Sequence, residues 1–183
     1  MSLARIRIAA RLLAVAAMAA LTAGCFQPMY AEHADGTPGL RDKLLGVELP
    51  PVDKPNASPE ARIGVEVRNA LAFKLYGNAT GTAPTHKLVL RFSTSRSSLL
   101  VSPTTGLPTS ENFGIDAQYN LVEVGTNKSV MTGTTFSRVT YDMPGSYQRF
   151  ARTRALRDAE DRAAQEIADN IQTRLASFFF AGT

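Results

Sequence analysis

Cys25 is the only cysteine of the chain, and it directly follows a short apolar run. A thiolate is a strong nucleophile among side chains, so chemistry is sought here first. With no second cysteine there is no disulfide and no cysteine metal site. The two histidines, His33 and His86, stand apart in sequence and cannot make a zinc site by themselves. The sequence holds no glycine-rich phosphate loop, no serine elbow and no metal-spaced cluster. Asp158, Glu160 and Asp161 are closely spaced acids, but they fall on a charged helix face. There they are expected to be solvated and not to work as a carboxylate dyad. The residues point to a non-enzymatic protein with no metal and no cofactor. What remains is a covalent attachment to the Cys25 sulfur.

The flanks of Cys25 say what is attached. Arg5, Arg7 and Arg11 come first with no acid among them, and Leu12 to Ala20 is unbroken small or apolar sequence. A basic start, a short apolar run and small residues before a cut make a secretory signal. The run is far below the ~20 residues that a spanning helix needs. Leu21-Thr22-Ala23-Gly24-Cys25 resembles the bacterial lipobox. That resemblance implies diacylglycerol on the Cys25 thiol, cleavage just before it, and an N-acyl chain on the new amino group. Phe26, standing where an aspartate would imply retention in the inner membrane, implies sorting to the outer membrane. Each buried methylene contributes ~0.8 kcal/mol; one chain holds reversibly, two or more hold stably. The expected organisation is a cleaved signal over residues 1–24, a lipidated tether over 25–43, and one domain over 44–183.

The 183-residue precursor has a formal charge of +4. Three of those charges leave with the signal, so the mature side chains sum to +1. Nothing in that balance suggests nucleic-acid binding; any site for a polyanion has to be local. The remaining length suits a single domain with a real core.

The order of elements then follows from periodicity. Residues 26–43 are polar and rich in turn formers and read as a spacer. Leu45, Val47 and Leu49 alternate into a short strand that Pro50-Pro51 closes. Ser58-Pro59-Glu60 is a helix start, Ile63, Val67, Ala70, Leu71 and Leu75 recur at helical spacing, and Gly77-Asn78 is a stop. Leu88, Leu90 and Phe92 alternate as a strand. Ser97 to Asn112 reads as a long loop whose Leu99, Leu100, Val101 and Leu107 argue for a contact surface. Phe113 to Leu121 and Val130 to Tyr141 pair as a hairpin across Gly125-Thr126-Asn127-Lys128. Ala151 to Phe179 is a long helix with an alanine-rich apolar stripe. The expected fold is an α+β two-layer sandwich: about four mostly antiparallel strands with two helices packed on one face.

One family shares this arrangement. The lipobox followed by Phe26-Gln27-Pro28-Met29-Tyr30 resembles the start of the LPS-assembly lipoproteins (LptE). So do the strand from Asn112 to Glu123, the Thr-rich strand after it, the connection with Tyr147, and the last helix with Ala163-Ala164 and Ile167-Ala168-Asp169. The resemblance implies a plug in the lumen of the outer-membrane β-barrel LptD, lipid-anchored on the periplasmic side, that binds lipopolysaccharide and helps assemble its barrel. It further implies lipid A phosphates on Arg96 and Arg152, with Arg149 and Arg154 close by, and a barrel contact through Leu99, Leu100, Val101 and Leu107. Arginine suits a phosphate because its planar fork donates two parallel bonds. The alternative is an envelope lipoprotein adaptor for another periplasmic or peptidoglycan-associated partner, recognised through an open sheet edge.

Overall fold

The structure, a computed structural model, describes residues 36–77, 82–143 and 148–181. Residues 1–24, where a signal is expected, Cys25, Phe26–Tyr30, His33, Asn78 and Tyr147 lie outside the described residues. The chain divides into two units, residues 1–39 and 40–183. In the second the elements run α1 (Leu40–Leu45), β1 (Val47–Glu48), α2 (Pro59–Tyr76), β2 (His86–Val101), β3 (Pro108–Glu123), β4 (Ser129–Asp142) and α3 (Arg149–Ala181). The strands form one open sheet in the order β1-β2-β3-β4. β1 pairs with β2 in parallel through Val47↔His86 and Glu48↔Lys87. The other two pairings are antiparallel. The α+β reading, with a mostly antiparallel four-stranded sheet and helices on it, therefore holds.

α2 starts and stops where its capping residues dictate. The Ser58 hydroxyl oxygen accepts a bond from the Ala61 N–H at 3.0 Å, satisfying one of the donors that a helix start leaves open. Gly77 ends the helix at a φ of 57°, and its N–H donates to the Phe73 carbonyl at 2.8 Å. Ile63, Val67, Leu71 and Leu75 bury one stripe. In α3, Ala159, Ala163, Ala164, Ala168 and Ala176 are buried beside Ile167, Ile171 and Leu175. Small side chains let the helix lie close to β3 and β4. Of the three terminal phenylalanines Phe179 is in the core and Phe180 is exposed.

Two stretches depart from the sequence reading. Residues 40–43, taken as the end of the tether, begin α1, and the strand expected over Leu45–Leu49 shortens to Val47–Glu48. Leu40 and Leu44, four apart, are both buried, which a helical turn achieves and an extended chain does not. The second correction is larger. Ser97–Asn112, expected to be a loop, is mostly strand: β2 continues to Val101, β3 begins at Pro108, and only residues 102–107 connect them. Beyond Ser98 every residue of β2 is exposed, whichever face it is on, and its partner Ser110 is buried but polar, so no apolar alternation marks the extension. A bulge at Leu99, between the Ser98 and Leu100 pairings, disturbs it further.

Residues 49–54 run as a strap beside β2. Arg68 Nε donates to the Leu49 carbonyl and Lys54 Nζ to the Phe92 carbonyl, both at 2.8 Å. Pro50 and Pro51 offer no N–H to an incoming strand, which blunts this edge. Strand alternation leaves the sheet with two unlike faces. Leu88, Leu90, Phe92, Ile115, Ala117 and Leu121 are buried under the helices, whereas Lys87, Arg91, Asp116, Gln118, Thr132, Thr134 and Phe136 are exposed on the other side.

Candidate functional site

A cleft of about 540 Å³ opens where the start of α2, the far half of β2 and the first turns of α3 meet. Its apolar lining includes Pro59, Val65 and Leu156, and Arg62, Arg96 and Arg157 stand around it. Each arginine comes from a different element. Arg62 is the residue four after the N-cap of α2. Arg96 pairs across the ladder with buried Phe113, so it points to the helix side of the sheet, beyond the reach of the core. Arg157 lies on α3 one turn past Thr153, which also lines the cleft.

The charges here are arranged unevenly. Arg62 donates to Glu160 in a close ion pair, and Asp161 is a second partner at 3.9 Å. Glu160 is only 3% exposed, against 37% for Arg62. This corrects the expectation that Glu160 sits on a solvated helix face: α2 packs on that part of α3, and the carboxylate is tolerated there because a guanidinium meets it. Arg96 and Arg157 have no ion-pair partner among the described residues. The cleft also borders the first turn of α2, where the helix dipole favours negative charge. An apolar floor with two uncommitted guanidinium groups fits an anionic amphiphile: methylenes against Val65 and Leu156, an anionic headgroup against the arginines.

The base of the projecting hairpin is pinned beside this cleft. Tyr141 donates to Glu111 Oε2 at 2.5 Å. Burial, and then that bond to a carboxylate, push the Tyr141 hydroxyl up to about 12, with Arg96 pulling slightly the other way. The phenol therefore stays protonated and keeps β3 and β4 locked at their far ends. Past this lock the β2–β3 hairpin carries Leu99, Leu100, Val101 and Leu107, all exposed, with Leu100 at 63%. Ser102 N–H donates to the Leu107 carbonyl at 2.9 Å, and Gly106 turns the chain at a φ of 67°. Four exposed aliphatic side chains on one ribbon end are a patch that a partner can bury.

Of the four arginines singled out in the sequence, only Arg96 lines the cleft. Arg149 is exposed one helical turn before Thr153, on the same side of α3. Arg152 turns away, its Nη2 lying 3.8 Å from Met143 Sδ on the β4 side. Arg154 is exposed and about 100° around the helix from Thr153. Arg62 and Arg157 were missed. The only local sign was that Arg62 immediately precedes core residue Ile63 near a helix start, where a long side chain can reach across to the neighbouring helix. Among the described residues no cluster of potential ligands could hold a metal ion, and no helix is long and apolar enough to cross a membrane.

The fold has relatives among solved structures. A protein from Caulobacter crescentus CB15 described as a lipoprotein aligns with a TM-score of 0.60 at 23% identity, over 79% of this chain and 97% of its own. The rare lipoprotein B from Shewanella oneidensis aligns with a TM-score of 0.50 at 20% identity, over 72% of this chain and 94% of its own. No curated protein matches the sequence. The model of the LptE family, described as lipopolysaccharide assembly, matches residues 45–175.

Proposed function

The chain belongs to the LptE lipopolysaccharide-assembly family, and from that premise we propose that it is a lipid-anchored, non-catalytic component of lipopolysaccharide export at the outer membrane. In this reading Cys25 carries diacylglycerol and an N-acyl chain, and the residues after it hold the domain on the periplasmic side. The domain plugs the lumen of an LptD β-barrel and assists its assembly. The hairpin end with Leu99, Leu100, Val101 and Leu107 packs against that barrel. Lipid A phosphates are taken by Arg96 and Arg157, with Arg149 at the mouth of the cleft.

One observation carries the reading: two guanidinium groups without ion-pair partners among the described residues stand over an apolar cleft at the start of a helix. A phosphate held in a bidentate fork gains charge-assisted bonds, and acyl methylenes gain from leaving water. No step needs a nucleophile or a proton relay. The domain holds lipid, orients it and hands it on. The test is isolation of the native lipoprotein from outer membranes in mild detergent. A large β-barrel is expected to co-purify, and depletion is expected to lower surface lipopolysaccharide. Isolation of the protein alone, with surface lipopolysaccharide unchanged on depletion, refutes the reading.

A further inference from the structure

The sheet face turned away from the helices is not flat. One hollow of about 470 Å³ and another of about 620 Å³ lie on it side by side. Both are lined by Arg91, Gln118 and Thr134, so they form one trough across β2, β3 and β4. Phe136, 65% exposed, closes one end. Its ring is braced by Arg138, whose guanidinium carbon is 5.6 Å from the ring centroid. Arg138 is itself clamped to both Asp116 oxygens at 2.7 and 2.9 Å. Gly114 leaves room for this: a Cβ there would meet Ser95 Oγ at 2.7 Å and Arg138 Cδ at 2.9 Å, so both side chains would have to shift.

The rest of the trough is mixed: Val89 lines it, and beside it stand polar side chains that have no partner among the described residues. The side chains of Gln118, Thr132 and Thr134 make no hydrogen bond among the described residues, and Arg91 has no ion-pair partner among them. The one carboxylate in the trough, Asp116, is taken by Arg138. The trough therefore offers a planar amide, hydroxyls, one unpaired guanidinium and a single exposed aromatic platform. A protein interface core wants several large apolar anchors and few charges, and this trough has Phe136 and the smaller, half-buried Val89. A ligand made of hydroxyl-bearing rings with acidic substituents matches it: hydroxyls to Gln118 and the threonines, the apolar side of a ring on Phe136, an anionic group on Arg91.

We propose that the outer sheet face is a binding trough for an acidic oligosaccharide, the sugar portion of the glycolipid handled in the function proposed above, on which this inference rests. The trough lies on the opposite side of the sheet from the Arg96 cleft, so sugar and lipid phosphate are held separately.

The test uses the full-length lipoprotein in nanodiscs and the lipid-free acidic oligosaccharide released from lipopolysaccharide by mild acid, titrated by calorimetry. Saturable binding is expected, weaker at high salt, with a neutral dextran oligosaccharide of equal length binding at least about fivefold more weakly. Arg91→Gln is expected to weaken the acidic oligosaccharide roughly tenfold, as the loss of a charged hydrogen bond implies. Phe136→Ala is expected to weaken it a few-fold, with melting temperatures of both variants unchanged. Arg96→Gln with Arg157→Gln is expected to weaken intact lipopolysaccharide and leave the free oligosaccharide unaffected. No saturation by about 10 mM, or binding indifferent to Arg91→Gln, overturns the trough even if intact lipopolysaccharide still binds through Arg96 and Arg157. So does a photocrosslinker at position 134 that captures a barrel protein and no saccharide in native membranes. Loss of intact-lipopolysaccharide binding in every form is instead the failure of the underlying reading.

Discussion

Arg62→Ala is expected to destabilise the domain far more than its exposed position suggests. The reason is its partner: Glu160 is 3% exposed, and Arg62 is the cation that meets it. Breaking a fully buried pair by removing one member costs about 3–5 kcal/mol. Arg62 is 37% exposed and shares itself with Asp161, so water screens part of the loss. The expected cost is about 2–3 kcal/mol, a fall in melting temperature of roughly 10 °C for a domain of this size. Glu160→Gln removes the buried charge but keeps an acceptor for Arg62, and is expected to cost only about 1 kcal/mol. The double variant no longer has a stranded carboxylate. It is expected to lose about 1–2 kcal/mol, well short of the sum of the single losses. Urea unfolding of the four proteins at pH 7 measures the cycle. If Arg62→Ala costs less than about 1 kcal/mol, or if Glu160→Gln fails to rescue it, the buried-pair argument is wrong. Arg62 and Glu160 both line the cleft, so ligand affinity is compared between Glu160→Gln and the double variant: a further loss in the double variant belongs to the Arg62 contact.

Arg96→Gln with Arg157→Gln, both on exposed side chains, is expected to leave the melting temperature within about 2 °C. The same pair is expected to lower lipopolysaccharide affinity at least tenfold, roughly what two phosphate contacts supply, and to flatten its salt dependence. Leu100→Asp with Leu107→Asp is expected to leave the stability of the isolated domain unchanged within about 0.5 kcal/mol, while the yield of the barrel complex from membranes collapses; an undiminished yield removes the hairpin from the interface. Tyr141 carries a pH signature. Its hydroxyl is raised from 10.0 to about 12 in the fold, so between those values the unfolded chain has lost the proton that the native state still holds. Stability therefore falls as pH rises through that window. Tyr141→Phe is expected to shrink the slope, seen as urea midpoints from pH 9 to 11. It does not abolish the slope, because burial also raises Tyr76 and Tyr119.

What the sequence disclosed depended on how local the cause was. The caps of α2 are read from Ser58, Pro59 and Gly77 because each acts within a few residues. The strands of β3 and β4 are read from alternation because one face is buried along most of their length. The same logic explains the failure at Ser97–Asn112. Where β2 meets solvent on both faces and the buried residue opposite is the polar Ser110, strand and loop have the same composition, and only the ladder to β3 distinguishes them. Glu160 was misjudged because its environment is made by Arg62, 98 residues away. The cleft has the same origin: Arg62, Arg96 and Arg157 are unrelated in spacing, and the packing of α2 beside α3 over the end of the sheet brings them together. Of the residues named in advance, Arg96 and the four hairpin aliphatics stand where a ligand or partner can reach them. Arg152 and Arg154 follow the helix away from the cleft.

Strand parity in β2 gives the last expectation. Arg91 and Arg96 are five residues apart, about 17 Å along an extended strand. An odd separation puts them on opposite faces, Arg91 in the trough and Arg96 in the cleft. Sites that far apart, with no protein residue lining both, contribute independently to one ligand. For intact glycolipid spanning both, the loss in Arg91→Gln with Arg96→Gln is expected to equal the product of the single-variant factors, so two tenfold effects give about a hundredfold. The free oligosaccharide is expected to respond to Arg91→Gln alone. Affinities of the two single variants and the double variant, measured at one salt concentration, decide it. A double-variant loss no larger than either single loss means that both arginines serve one group, and the division of sugar and phosphate between the two faces is then wrong.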